Sequence, residues 1–180
     1  IPRLVDQSRV VHIDQLSSSI IGKKFIACAF TPSRRAELIA HAQSLGLILG
    51  DPLIDSTAIL ARSIRVGDGS FINAGAVIGA VSIIGNGVLV NRAASLGHHS
   101  LIGDFVSIGP GATLAGNIRV GRGTMIGAGA TILPDIRIGE NVLIAAGSVV
   151  RQHVPDGVLV AGNPAQERTY NPTKSSLHVD

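Results

Sequence analysis

The sequence predicts a mainly β protein, a parallel β-helix of about five to six coils preceded by a partial β-α-β unit. Three observations predict this fold. Hydrophobic residues make up 46% of the chain and aromatic residues only 3%, so Val, Ile, Leu and Ala must form the core. The 22 glycines can supply many tight turns. In addition, every sixth residue from Ile54 to Val150 is Ile, Leu or Val.

A period of six residues differs from the 3.6-residue period of an amphipathic helix and from the alternation of a strand. It fits a coil made of three short strands, roughly 18 residues in all. Each aliphatic residue then faces inward and stacks on the residues one coil before and after it. The residue that follows it is Gly at nine steps and Asn or Ala at five more, so we expect unusual backbone angles at these corners.

The segment before the repeat has a different pattern. The run "KKFIACAF" at 23–30 predicts a buried strand, and Thr31-Pro32 predicts the start of a helix over 33–45 that ends at Gly46. The run "LILG" at 47–50 predicts a second short strand. This order of elements is that of one β-α-β unit, as at the end of a small doubly wound domain.

These patterns divide the chain into three parts. Residues 1–50 form the partial α/β unit, in which 12–19 is compatible with either a linker or a helix. Residues 51–165 form the β-helix, which ends in a turn, a last strand and the Pro-bearing exit of "HVPDGVLVAGNPA". Residues 166–180 are expected to be a C-terminal tail.

Composition argues against several classes of protein. Cys28 is the one cysteine, so an intramolecular disulfide framework is excluded and a cytoplasmic location is expected. No apolar run is long enough to span a membrane, and the N-terminus lacks the pattern of a signal peptide. The net charge of +3, without a basic cluster, does not favour nucleic-acid binding. Because Ile1 comes first and Met125 is the one methionine, we expect a fragment or processed form with a segment missing upstream.

Two adjacent histidines interrupt the repeat in "SLGHHSLIGDF" at 95–105. They follow Leu96 and Gly97, so His98 and His99 are predicted to lie at a corner and to point away from the core. They could be two solvated surface side chains. A zinc site shared between subunits, as in the gamma-class carbonic anhydrases, would need three histidines with a spacing that this sequence lacks, so no metal is expected.

The run from Asn91 to Val150, followed by "VPDGVLVAGNPA", resembles the hexapeptide-repeat acyltransferases that modify nucleotide-linked amino sugars and sialic acids. The resemblance covers roughly residues 23–165. It implies a left-handed β-helix behind a nucleotide-sugar-type N-terminal domain, and a homotrimer that binds acetyl-CoA between neighbouring helices. Aligned on "LIGDFV", the family's histidine falls on His98 and its acidic residue on His99. A further family histidine is replaced by Ser107.

The chemistry of acyl transfer suggests roles for these positions. His98 would be the general base, since imidazole titrates near neutral pH. One coil later, Gly116 would offer its N–H to the oxyanion and let the acyl group approach closely. The resemblance places coenzyme contacts near Ala128 and Ala146, which are one coil apart, and we expect Ser107 and Gly116 to line the same site.

Two columns of charged residues recur with the 18-residue spacing. Asp104, Arg122 and Glu140 are predicted to form an acid-base-acid ladder that stabilises the outside of the helix. Arg119 and Arg137 also lie one coil apart and point outward. Because like charges at that spacing repel each other, we expect either an anionic phosphate between them or two splayed, solvated side chains.

The sequence therefore predicts an acetyl-CoA-dependent acyltransferase that acts on an amine or hydroxyl of a sugar, in surface glycan synthesis. The sugar is expected to be nucleotide-linked. The alternative is a non-catalytic β-helix, either a scaffold or an ice-binding surface. Ice binding would need a flat array of threonines, and Thr113, Thr124 and Thr131 are not expected to share one column.

Overall fold

The computed structural model describes residues 20–169. Their N-terminal part is the expected strand-helix-strand unit: β1 (Lys24–Phe25), α1 (Pro32–Ser44) and β2 (Ile48–Leu49), with β1 and β2 paired in parallel. The first strand is shorter than the apolar run that predicted it. Thr31 is the N-cap residue of α1, although its side chain makes no capping hydrogen bond, and Pro32 occupies the first turn. The segment 12–19 lies outside the described residues.

The β-helix follows as three faces built mainly of parallel strands, and as far as Val150 successive strands along the chain lie on successive faces. Face 1 contains β3 (Leu53–Ile54), β6 (Phe71–Ile72), β9 (Leu89–Val90), β12 (Ser107–Ile108), β15 (Met125–Ile126), β18 (Leu143–Ile144), β20 (Leu159–Ala161) and β21 (Gln166–Arg168). Face 2 contains β4 (Ile59–Leu60), β7 (Val77–Ile78), β10 (Ser95–Leu96), β13 (Thr113–Leu114), β16 (Thr131–Ile132) and β19 (Val149–Val150). Face 3 contains β5 (Arg65–Val66), β8 (Ile83–Ile84), β11 (Leu101–Ile102), β14 (Arg119–Val120) and β17 (Arg137–Ile138).

The aliphatic column predicted from the six-residue period is confirmed as the core. Each strand from β3 to β19 ends on its predicted aliphatic residue, and those from Ile72 to Val150 are all buried. Ile54 is 40% exposed because it lies in the first coil, at the end of the stack. Full burial of one such side chain contributes about 1.5 to 3 kcal/mol, so the stack is the main stabilising element of the fold.

A second inward column lies immediately before the strands, two residues before each buried aliphatic residue, and was not predicted. It consists of small and branched residues that are buried from Ser70 to Val154. Its hydroxyl groups satisfy backbone atoms at the corners: the hydroxyl of Thr124 donates to the carbonyl of Gly139 and accepts the N–H of Val142. The column repeats every six residues in the sequence, so the same periodicity could have identified it.

The predicted reason for glycine after each aliphatic residue is wrong. None of these glycines, from Gly67 to Gly139, has a positive φ, but a Cβ on any of them would lie less than 3.0 Å from atoms of the next coil. They are glycine because the coils pack closely there. The left-handed conformation occurs two residues later, at every sixth residue from Gly69 to Gly147.

A buried arginine holds the N-terminal unit against the β-helix. Arg35 of α1 is 1% exposed, and its guanidinium donates to the carbonyls of Ala29, Phe30, Gly87, Phe105 and Val106. Burial lowers the pKa of this guanidinium to about 10, so Arg35 remains charged at neutral pH. Carbonyl dipoles from both units therefore solvate one cation.

The C-terminal end of the β-helix differs from the expected tail. Strand β21 lies within 166–180 and pairs antiparallel with β20, which adds a hairpin to the last coil. This pairing uses the free edge of face 1 and thereby covers it. Within residues 20–169 no helix is long and apolar enough to cross a membrane.

The expectation about the threonines was wrong for one pair. Thr113 and Thr131 are direct partners in β13 and β16, so they do share a column on face 2. Thr124 is buried inside the helix. Two adjacent threonines, preceded in the same column by Val77 and Ser95, do not form an extended threonine array.

Candidate functional site

The histidine pair lies at the corner between faces 2 and 3, directly after β10. Both side chains are exposed. The backbone holds this corner on two sides, because the N–H of His99 donates to the carbonyl of Ala80 and the carbonyl of His98 accepts the N–H of Asn117. His99 has φ of 57°, one of the left-handed positions of the repeat. This conformation turns the chain so that two consecutive side chains can lie close together.

The two imidazole rings are in direct contact. The Nδ1 atoms of His98 and His99 are 2.9 Å apart, with the rings nearly perpendicular at 87° and their centroids separated by 5.1 Å. That distance requires a hydrogen bond, with the proton on one of the two Nδ1 atoms. Within residues 20–169 no group of three or more His, Cys, Asp or Glu side chains is arranged to hold a metal ion.

Gly116 lies one coil after His98 and borders the same space. A Cβ at Gly116 would lie 2.8 Å from both Cε1 and Nε2 of His98, so the missing side chain is what leaves room for the imidazole. In the described part of the chain, no acceptor is positioned to receive the N–H of Gly116. A basic ring nitrogen and an available N–H donor therefore occupy one corner.

The two alanines expected to contact the coenzyme lie at a different corner. Ala128 and Ala146 follow β15 and β18, between faces 1 and 2, and both are exposed. Their N–H groups likewise have no acceptor within residues 20–169. Face 2 separates this corner from His98 and Gly116, so one chain does not bring all four residues to one point.

The expectation that Ser107 contacts coenzyme is not supported by its position. Ser107 is completely buried in β12 on face 1, and its hydroxyl donates to the carbonyl of Phe30. The N-terminal unit covers this part of the face, so a ligand cannot reach the hydroxyl. Ser107 instead helps to hold the N-terminal unit in place, beside Arg35.

The charged columns are partly as expected. Arg122 lies 3.5 Å from Asp104 and its guanidinium lies 4.6 Å above the ring of Phe105, but it forms no ion pair with Glu140, whose N–H bonds to Asp156. The ladder thus contains one ion pair.

Arg122 also lines a cleft of about 320 Å³ between α1 and face 1. Arg119 and Arg137 are direct partners on face 3, and both are exposed.

Sequence analysis missed the structural role of Arg35. A signal for it was present, because Arg35 shares the buried side of α1 with Ile39 and Ala42, four and seven residues later. A charged residue within such a stripe must be buried with hydrogen-bond partners, which points to polar groups packed against this side of α1. The contact between the two imidazoles could not be predicted, since adjacent corner side chains can also diverge.

Comparison with known proteins agrees with the fold. The family described as bacterial transferase hexapeptide (six repeats) matches residues 117–152. The GDP-perosamine N-acetyltransferase PerB from Caulobacter crescentus, solved with CoA and GDP-perosamine, is 31% identical with a TM-score of 0.79, covering 82% of this chain and 70% of that chain. The acetyltransferase domain of PglB from Neisseria gonorrhoeae is 35% identical with a TM-score of 0.79, covering 86% and 74%. The same domain has been solved with acetyl coenzyme A, at 38% identity, a TM-score of 0.74 and coverage of 78% and 68%. No curated protein sequence is significantly similar to this chain.

A parallel β-helix of about six turns that follows the helix α1, together with these relatives, defines a hexapeptide-repeat transferase. The chain belongs to the left-handed β-helix family of acetyl-CoA-dependent sugar acetyltransferases.

Proposed function

We propose that this enzyme transfers an acetyl group from acetyl-CoA to an amine or hydroxyl of a nucleotide-linked sugar, at the corner that carries His98. The contact between the His98 ring and Gly116 carries this proposal, because the imidazole lies beside a residue whose backbone N–H has no acceptor within residues 20–169. PerB, which acts on GDP-perosamine, and the PglB domain support the substrate class.

The reaction uses both groups of this corner. Nε2 of His98 takes the proton of the amine or hydroxyl as its nitrogen or oxygen attacks the thioester carbonyl. The N–H of Gly116 donates to the oxyanion that forms on the carbonyl oxygen. When the intermediate collapses, the carbon–sulfur bond breaks and the proton on Nε2 passes to the coenzyme sulfur, so the base is regenerated.

The coenzyme would bind along the corner of Ala128 and Ala146, where the available N–H groups can donate to amide oxygens of the pantetheine arm. Their small side chains let the arm approach the backbone. Since this corner and that of His98 lie on opposite sides of face 2, we assign the complete site to two neighbouring chains of a homotrimer.

Exposed aliphatic side chains support this assembly. Ile59 and Val77 on face 2 are 66% and 39% exposed, and Ile83 and Leu101 on face 3 are 46% and 37% exposed. These two faces meet at the corner of His98, so covering them with a second chain would also build a second wall for the site. Sedimentation should give a trimer, and a stable monomer that still turns over would contradict this assignment.

The remaining assignments follow from the same proposal. Residues 1–50 belong to a nucleotide-sugar-type unit, whose described part Arg35 fixes to the β-helix. The enzyme would act in the cytoplasm, where acetyl-CoA and nucleotide sugars are made, in surface glycan synthesis.

The test measures release of free coenzyme A thiol from acetyl-CoA over a panel of nucleotide-linked amino sugars. We expect turnover with at least one of them. His98→Ala should remove most of it, a loss of roughly 10²- to 10⁴-fold for a general base, while the Kd for acetyl-CoA stays nearly unchanged. Near-normal turnover in His98→Ala would overturn the catalytic assignment, and no turnover across the panel in the unmodified enzyme would count against the substrate class.

A further inference from the structure

The hydrogen bond between His98 and His99 constrains where their protons lie. With both rings neutral, each imidazole carries one proton, and one Nδ1 must donate to the other across the 2.9 Å separation. If His99 donates, the proton of His98 lies on Nε2 and that nitrogen cannot act as a base. If His98 donates, its Nε2 keeps a lone pair, and the proton of His99 lies on its own Nε2.

We propose that His99 is a positioning residue whose Nδ1 accepts the Nδ1–H of His98 and thereby holds His98 in the tautomer with a free lone pair on Nε2. This inference rests on the proposed function, in which Nε2 of His98 is the base. Any histidine base that works through Nε2 needs an acceptor for its Nδ1–H, and here the neutral imidazole of His99 is that acceptor.

The backbone of the corner supports this role. His99 has a left-handed φ of 57° and its N–H donates to the carbonyl of Ala80, so the backbone is fixed at the residue whose ring contacts His98. Val81 occupies the equivalent position one coil earlier with φ of 59°, so the conformation itself belongs to the repeat. The corner therefore adopts this backbone conformation without an imidazole, so the ring of His99 is not required for the fold of the corner.

The electrostatic surroundings of the two histidines are consistent with His99 acting as a neutral acceptor. One coil after His99 is Asn117, whose amide donates to Asp135 at 2.7 Å, so that carboxylate is engaged by the amide. The ion pairs among residues 20–169 are Lys24–Asp51, Arg34–Glu37 and Arg122–Asp104, none of which includes either imidazole. Gly116, packed against the His98 ring, carries no charge.

The arrangement also accounts for the proton in the reaction. When Nε2 of His98 takes the proton of the nucleophile, the ring becomes an imidazolium whose Nδ1–H still donates to the lone pair of His99. The proton on Nδ1 stays between the two rings, and the one on Nε2 is then available to the coenzyme sulfur. His99 orients the base throughout without becoming charged.

Three variants separate this role from a structural one. His99→Gly removes the ring at a position where glycine adopts the required φ without strain. His99→Asn tolerates the same φ and can place its Oδ1 near the former Nδ1. Val81→Gly is the matched control, because it makes the same backbone change at the same corner one coil earlier.

Nitrogen-15 NMR of histidine-labelled protein at about pH 8.5, where imidazole is neutral, reads the tautomer directly. A His98→Gln spectrum identifies the signals of His98. We expect a proton on Nδ1 of His98 in the unmodified protein and in His99→Asn and Val81→Gly, and a shift towards the Nε2–H tautomer in His99→Gly. Finding the proton of His98 on Nε2 in the unmodified protein would overturn the proposal.

Kinetics give the second readout. We expect His99→Gly to lower kcat on the order of tenfold or more, part of the factor that a general base provides, with KM for acetyl-CoA within about twofold. His99→Asn should recover most of that loss and Val81→Gly should be near normal. Equal kcat in His99→Gly and Val81→Gly would contradict the role of His99. The proposed function is tested separately, because near-normal turnover in His98→Ala would contradict it. The tautomer measured in the unmodified protein does not depend on that result.

Discussion

The imidazole of His98 packs against the backbone of Gly116, and a side chain of even one carbon at residue 116 would lie 2.8 Å from its Nε2. The two residues are one coil apart, each two residues after one of the adjacent strands β10 and β13 of face 2, so their separation is set by the repeat itself. Close approach is possible only because residue 116 lacks a Cβ. The absence of a side chain at Gly116 thus leaves room for the ring of His98 as well as for an acyl group.

Gly116→Ala should therefore displace the His98 ring and lower kcat at least tenfold, since the base loses its position. The fold should persist, because Gly116 has no positive φ and its neighbours are the movable atoms of one exposed ring. Gly157→Ala is the control: its φ is +72° with nothing within 4 Å of a Cβ, so it should cost about 1 kcal/mol of stability and leave turnover unchanged. Normal kcat in Gly116→Ala would show that the ring position is not critical.

Replacing the neighbouring imidazole with a carboxylate should change the pH dependence of catalysis. In His99→Asp, the negative charge favours the protonated form of the adjacent imidazole. The rising limb of kcat/KM, where the proposed base loses its proton, should move to higher pH. His99→Asn offers an acceptor without charge and should leave the limb in place. An unmoved limb in His99→Asp would mean that the side chain at residue 99 does not interact with His98.

The paired arginines of face 3 provide a test for phosphate binding. Arg119 and Arg137 are exposed on adjacent strands, about 4.8 Å apart in backbone spacing, so their charges repel unless an anion lies between them. We expect the double change to Gln to weaken binding of acetyl-CoA or of the nucleotide sugar and to reduce its salt dependence. Arg65→Gln is the control, since Arg65 pairs with Ile83 on the same face. Unchanged affinity and salt dependence for both ligands would leave the two arginines as solvated surface residues.

Arg35 should determine whether the N-terminal unit stays attached. Arg35→Met leaves the carbonyls of Gly87 and Phe105 without their donor, and since a hydrogen bond to a charged group contributes about 1.5 to 3 kcal/mol, we expect a loss of at least about 3 kcal/mol. Hydrogen exchange should accelerate in residues 20–50 and change little in the β-helix. Arg34→Met is the control, because Arg34 is exposed and pairs with Glu37 on the same helix.

The effect of Arg35→Met should not depend on pH in the neutral range. The pKa of Arg35 is lowered by burial to about 10 in the folded protein, below the ordinary value of an arginine. The unfolded chain therefore binds more protons only between these two values, and the linked stability rises with pH only there. Below about pH 9 the group is charged in both states. Equal losses at pH 6 and 8.5 are expected, and a loss that grows across this range would point to another group.

The six-residue period alone predicted the positions of the strand ends in the repeat, the buried aliphatic column and the corner location of His98. This was possible because a residue in a β-helix contacts residues one coil away, so the tertiary neighbours recur in the sequence at a constant spacing. The helix after Thr31 was also predictable, because its start and end depend on local backbone chemistry at Pro32 and Gly46.

Other features depend on contacts that do not follow the one-coil spacing, and the tertiary structure alone determined them. Ser107 occupies an outward position that the repeat would leave in solvent, but the N-terminal unit covers it, and the burial of Arg35 depends on the same docking. The rotamers that bring Nδ1 of His98 and His99 together depend on the left-handed backbone at residue 99. These features arise from packing between non-repeating parts and from side-chain torsions. Neither leaves a periodic signal, so only three-dimensional packing determines them.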